Sequence, residues 1–149
     1  MPLYFSDGEP FSDGAGPYTC RPATSQDNTD RIFITIAIEG QQTQAVLDTG
    51  GVYLICDPEL AEFLDLDPAA ALDKITIRVR GTAYRGSLYR VQVSIPAQEG
   101  KSVLFEATAF VPDPEPSWPL PTYLGWHGCL ERFRFAVDPT QDMFYFGPA

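Results

Sequence analysis

The chain has 149 residues, 44% of them hydrophobic and 13% aromatic, the size of one domain that buries roughly two-thirds of the surface its unfolded form exposes. Twenty Asp and Glu stand against ten Lys and Arg, a formal charge of -10; this excludes nucleic acid and anionic membrane surfaces as partners, since both require a basic face. Fourteen prolines and twelve glycines punctuate the chain too densely for a helical bundle and favour strands.

Residues 1–30 are rich in Pro, Gly, Ser, Asp and Thr and poor in aliphatics. They read as an extended N-terminal arm, with Tyr4, Phe5, Phe11 and Tyr18 marking parts that pack. Its start, "MPLYFSDGEPFSDG", has neither the basic nor the apolar region of a signal peptide. "RIFITIAIEG", 31–40, alternates Ile32, Ile34, Ile36 and Ile38 with Phe33, Thr35, Ala37 and Glu39, the period-two pattern of a half-buried strand. After a turn at "EGQQ", a second strand over 43–48 ends at Asp48.

"CDPELAEFLDLDP", 56–68, reads as a short helix. Asp57 suits the N-cap, Pro58 the first helical position and Glu59 the positive end of the dipole. Leu60, Phe63 and Leu64 are expected on one apolar face. "ITIRVRG", 75–81, and "SLYRVQVSIP", 87–96, alternate strictly, with "GTAYRG", 81–86, as the connection of a hairpin. "VLFEATAFVP", 103–112, is another strand, followed by the proline-rich loop "PDPEPSWPLP", a short strand at "TYLGW", a brief helix or strand entry at "GCLERFRF" and a final hairpin over 132–147. The expected fold is all-β, about seven strands with one or two short helices, in a domain spanning 31–149.

Three cysteines, Cys20, Cys56 and Cys129, are far apart and form no CxxC pair. A disulfide framework, a zinc ribbon and a thioredoxin-type site are therefore not expected, and reduced thiols point to a cytoplasmic protein. No apolar run is long enough to span a bilayer.

Chemistry narrows by inventory. One histidine, His127, rules out multi-histidine metal sites and leaves no base for a serine nucleophile outside it. Cys129 stands two positions from His127, whereas a Cys-His dyad needs the two held facing by separate elements. No phosphate-cradling Walker loop is present. What remains is "AVLDTGGVYLIC", 45–56, with Asp48 between an apolar run and two glycines. A lone carboxylate is a poor base at its usual pKa of about 4. Two carboxylates within hydrogen-bond reach share one proton, and such a pair can activate water and protonate a carbonyl without metal or cofactor. Gly50 and Gly51 permit tight turning, and Thr49 offers a hydroxyl brace. On the residues alone, Asp48 is either a strand-end carboxylate capping local amides or one half of such a pair.

"VLDTGG" after a strand resembles the hydrophobic-Asp-Thr-Gly motif of aspartic proteases. "TYLGW" resembles the hydrophobic-hydrophobic-Gly motif that closes the loop around the catalytic Asp. The 81–86 hairpin sits where the substrate-covering flap of that family lies, and "LGWHGCLERFRFAVDP" resembles the segment that follows in single-domain members. With one Asp-Thr-Gly copy, the chain is similar to the retropepsin-like, homodimeric members.

The resemblance implies an aspartic endopeptidase acting on peptide or protein substrates, with no cofactor and no metal. Asp48 from each of two chains would form the catalytic dyad across an isologous interface. Thr49, Gly50, Gly51, Leu124 and Gly125 would support the active-site loop. Gly81, Thr82, Ala83, Tyr84, Arg85 and Gly86 would form the flap. Three positions differ from the family pattern: Gly51 stands where Ala or Ser is usual, and Val52 and Trp126 replace an acidic residue and an arginine that pair near the retroviral dimer interface. A catalytically inactive, dimeric peptide-binding module is the alternative.

Overall fold

Strands form where the chain alternates apolar and polar residues, and also in pieces too short to show a period. The computed structural model describes residues 2–149. Its strands are β1 (Gly14–Pro17), β2 (Thr19–Arg21), β3 (Arg31–Ile38), β4 (Gln41–Leu47), β5 (Leu54–Ile55), β6 (Asp73–Val79), β7 (Thr82–Ile95), β8 (Glu99–Gly100), β9 (Val103–Pro112), β10 (Thr122–Leu124), β11 (Phe133–Asp138) and β12 (Met143–Pro148). One short α-helix, α1 (Pro58–Leu64), and two 3-10 turns complete the described residues. The strand number exceeds the expected seven because pieces such as β5 and β8, two residues each, are recruited by neighbours and carry no pattern of their own.

An eight-stranded sheet runs in the order β2-β3-β4-β10-β5-β9-β7-β6. β3 also pairs with β7 through Ala37 and Ile38, which curls the sheet toward a barrel. A second sheet has the order β11-β12-β1-β8. Residues 14–21, within the segment read as an arm, thus place β1 between β12 and β8 and lay β2 along β3.

Period two sorts side chains to opposite faces, and the large sheet buries both. Ile34, Ile36, Ile38, Ala45, Leu54, Ala109 and Leu124 enter a main core that includes Phe133, Phe144 and Phe146. Their sequence neighbours Phe33, Val46, Ile55, Phe110 and Tyr123 enter a second, smaller core with Tyr84, Leu88, Trp118 and Leu120. Each fully buried Phe, Ile or Leu contributes about 1.5–3 kcal/mol.

Two expectations are corrected. The β6–β7 connection is not the six-residue stretch 81–86. It is the two-residue turn Arg80-Gly81, both with positive φ (52° and 83°), and β7 starts at Thr82, so the hairpin is longer and its tip tighter. In α1, Leu60, Ala61 and Leu64 pack on the main core while Phe63 is exposed. At about 100° per residue, Phe63 falls beside that face rather than on it.

Asp57 caps α1 as its sequence suggests, its Oδ1 accepting from the Leu60 N–H at 3.0 Å. Its other bonds tie the helix to β10: the buried Thr122 hydroxyl donates to Asp57 Oδ2 at 3.0 Å and accepts from the Asp57 N–H at 3.2 Å. Thr122→Val keeps the shape and removes both bonds, leaving half-buried polar groups unpaired. It is expected to lower stability by about 1–3 kcal/mol, read as a shift in the urea unfolding midpoint at unchanged slope.

Candidate active site

Asp48 follows the last residue of β4, and its position is set by β10. That strand lies between β4, parallel to it with Leu124 beside Leu47, and β5, antiparallel to it with Leu124 beside Leu54. The 48–53 loop therefore leaves on one side of β10 and returns on the other. Backbone bonds pin it along the way. The Asp48 N–H donates to Leu124 O at 3.0 Å, the Gly125 N–H to Tyr53 O at 2.8 Å, the Trp126 N–H to Gly51 O at 2.8 Å and the Tyr53 N–H to His127 O at 2.8 Å. The Asp48 carboxylate is half-buried, and its Oδ1 accepts from the Gly50 N–H at 3.2 Å. Thr49 is exposed, and no hydrogen bond of its hydroxyl occurs among the described residues.

The glycines serve closeness more than turning. Neither Gly50 nor Gly51 lies in the left-handed region; the residue of this loop that does is Tyr53, with φ 61°. A Cβ on Gly125 would stand 2.5 Å from Tyr53 O and 2.6 Å from the Val52 carbonyl carbon, so the crossing of the two loops requires glycine there. A Cβ on Gly51 would stand 2.8 Å from Asp48 Oδ2. An alanine at 51 would thus require the carboxylate to turn aside, and the glycine leaves that space to Asp48.

Asp48 opens onto a cleft of about 440 Å³. Gly50, Gly51 and Val52 line it from the loop, Ile55 and Tyr123 from the small core, Arg31 from β3, and Ile77, Arg78, Val79 and Arg80 from the β6 arm of the hairpin. The hairpin does stand over Asp48, but through β6 and its tip. Of the residues assigned to the flap from sequence, Thr82 and Tyr84 line an adjoining hollow of about 370 Å³ with Pro119 and Leu120, which shares Val79 and Arg80 with the cleft. Ala83 and Arg85 are exposed. Gly81 forms the tip, and Gly86 packs where a Cβ would strike Val111 O and the Phe110 ring. Tyr84 is buried rather than exposed, edge-on to Trp118 at 4.9 Å between ring centroids, and so braces the hairpin from inside. A further hollow of about 290 Å³ beside β1 is lined by residues such as Gly16, Ile34, Gln98 and Phe144, with no ionisable side chain.

No protein-family model and no curated protein sequence matches the chain. A solved structure does: a retropepsin-like aspartic protease from Rickettsia conorii superposes with TM-score 0.57, covering 88% of this chain and 97% of that one at 20% sequence identity. The chain has a retropepsin-like fold. Asp48 in its Asp-Thr-Gly loop, Leu124-Gly125 across from it and the hairpin above it sit together in that fold.

Within this retropepsin-like frame the hairpin tip is tethered. The Arg80 guanidinium reaches Asp27 at 2.9 Å, with a further bond at 3.3 Å, and donates to the Tyr123 hydroxyl at 3.4 Å. Asp27 has only 8% of its side chain exposed. The hydrogen bond from Arg80 holds its carboxyl below the usual value near 3.8, against the opposing effect of burial. Burial raises the Tyr123 phenol; Arg80 and Arg31 pull it back, while Asp27 and Asp48 push it up. Sequence reading missed Asp27, Arg31, Tyr53 and Tyr123. Tyr123, inside "TYLGW", and Tyr53, inside "AVLDTGGVYLIC", stand in motif-bearing stretches; Asp27 and Arg31 carried no local signal.

The Cys129–His127 pair falls away as a nucleophilic site. Burial pushes the Cys129 and Cys56 thiols up to about 12, so neither is a thiolate at neutral pH. His127 is exposed and pairs through Nδ1 with Glu131 at 3.1 Å. Among the described residues no helix is long and apolar enough to cross a membrane.

Two outcomes are expected. Gly125→Ala forces apart the loops that carry Asp48 and costs about 1–3 kcal/mol, measured by chemical denaturation. Asp27 has a lowered folded-state pKa, so its pairing with Arg80 contributes fully above the unfolded value and is lost as pH falls through the lowered one. The stability gap between wild type and Asp27→Asn is therefore present at pH 7 and closes below about pH 3.8, as urea titrations across that range would record.

Proposed function

We propose that the chain is an aspartic endopeptidase that works as a symmetric homodimer, with Asp48 of each chain forming the dyad. The observation that carries this reading is that Asp48 is the one carboxylate lining its cleft, anchored by its backbone to Leu124 in a retropepsin-like fold. Alone, it lacks the partner that general acid–base chemistry needs. Beside it, Val52 and Trp126 are 43% and 48% exposed, unusual for large apolar side chains next to a site. A second copy that covered them would bring its own Asp48 to face the first, and apolar contact would stand where related dimers use an ion pair. The exposed Thr49 hydroxyls are then free to hydrogen-bond across the axis.

In the dimer, one Asp48 is ionised and the other protonated, because two adjacent carboxylates share one proton. The ionised one takes a proton from water as its oxygen attacks the peptide carbonyl. The protonated one gives its proton to the carbonyl oxygen. The resulting diol collapses as a proton passes to the leaving nitrogen, and the C–N bond breaks. β6 is the last strand of its sheet, so its outer edge can receive an extended peptide by strand addition. Residues 31–149 carry this machinery, with β1 and β2 of the preceding segment built into the same sheets. Three free cysteines suit a reducing, cytoplasmic setting.

Purified wild type is expected to cut members of a mixed peptide library at acid pH, and Asp48→Asn to be slower by about 10²–10⁴-fold. Trp126→Asp should shift the sedimentation coefficient from dimer to monomer and abolish cleavage with it. Peptide binding without cleavage, equal in wild type and Asp48→Asn, would establish the non-catalytic module instead.

A further inference from the structure

The whole chain carries twice as many acidic as basic residues, yet the cleft at Asp48 inverts that balance. Three arginines, Arg31, Arg78 and Arg80, line it, and Asp48 is the one acidic side chain among them. Arg80 is neutralised by Asp27. Arg31 and Arg78 have no carboxylate partner among the described residues. Elsewhere Arg90 pairs with Glu106 at 3.2 Å and Lys74 with Asp113 at 2.9 Å, while Arg85 and Arg132 also make no salt bridge among the described residues; what distinguishes Arg31 and Arg78 is that they line the cleft beside Asp48. Cations gathered in a concave site focus a positive field there.

From this we infer a substrate class, resting on the peptidase reading above: the cleft selects peptides with Asp or Glu side chains close to the scissile bond, recognised by Arg78 and Arg31. Arg78 is on β6, the edge strand that a bound peptide would extend. Opposite charges on neighbouring strands attract across the ladder, so an acidic side chain beside Arg78 is favoured and a basic one repelled. Arg31 faces the same cleft from the start of β3. The guanidinium fork suits a carboxylate by two parallel hydrogen bonds. A two-fold axis through the dyad repeats the pair, so acidic residues on either side of the cut bond meet an arginine.

The test compares two peptides that differ only by Glu or Gln next to the scissile bond, chosen from those wild type cuts. At pH 5.5 the Glu peptide is expected to have the higher kcat/KM, by about fivefold for one ion pair in a partly solvated cleft. The preference should shrink toward one as pH falls to about 3.5, where most of the substrate carboxyl, with its usual pKa near 4.3, is protonated. Arg78→Gln and Arg31→Gln should each reduce the Glu-to-Gln ratio toward one. A merely structural role for either arginine would not change that ratio with pH. Equal cleavage of both peptides at pH 5.5, or a preference indifferent to pH and to both substitutions, overturns the inference while leaving the peptidase reading intact. If no peptide is cut at any pH, the peptidase reading fails, and calorimetric binding of the same two peptides decides selectivity separately: tighter binding of the Glu peptide upholds it, and equal binding overturns it.

Discussion

The threading of β10 between β4 and β5 is the constraint on which the site depends. Three residues, Thr122 to Leu124, bond to one strand on each side, and the chain on either flank of Asp48 is thereby held to the same short element. The Leu124 carbonyl receives the Asp48 N–H, and the next amide, Gly125, reaches back to Tyr53. A carboxylate held this way has its backbone fixed without using its own oxygens. Those oxygens stay available to the cleft, apart from the contact with the Gly50 N–H. Gly125 is the point of least tolerance because two backbones pass there at a distance no side chain fits. The same strand anchors α1, through Thr122 and Asp57.

The two-sided burial of the large sheet has a functional consequence. The smaller core would be surplus to a simple sandwich, but here it supports the hairpin that stands over Asp48. Tyr84 and Trp118 pack inside it, while Ile77 and Val79 pack against it and also line the cleft. The arm of the hairpin nearer the site is thus partly rigid. Its tip is held differently, by the charged contact of Arg80 with Asp27 rather than by apolar area. Packing of this kind is insensitive to pH, whereas an ion pair is not, so the two ends of the hairpin respond to conditions in different ways.

Much of this was legible along the chain. Period-two alternation marked β3, β6 and β7, while composition and turn residues marked β9 and the closing hairpin. Asp57 and Pro58 marked the helix start, and the order of Asp-Thr-Gly, hairpin and Leu-Gly pointed to the retropepsin-like architecture that the comparison bears out. Other features left no trace. β1, β2, β5 and β8 are two to four residues long, too short for a period. Phe63 was expected on the apolar face of α1 with Leu60 and Leu64, yet it is exposed. The hairpin tip was displaced because Arg80, a residue that seldom adopts positive φ, takes half of the turn that glycine positions were expected to supply.

The sequence by itself determined the strand-rich class, the identity of the one candidate carboxylate and the need of that carboxylate for a second one. These follow from local properties: alternation sets which face is buried, and a single acid cannot share a proton with itself. Only the tertiary structure decided what surrounds Asp48. Arg31 and Tyr123 come from distant points of the chain, and no stretch of sequence announces that they meet Arg78 and Arg80 at one cleft or that Asp27 pairs with Arg80. That meeting depends on which strands pair and in what register. Strand pairing joins residues by backbone hydrogen bonds that every residue type can make, so the charge of the cleft is a property of the fold and not of any stretch of sequence.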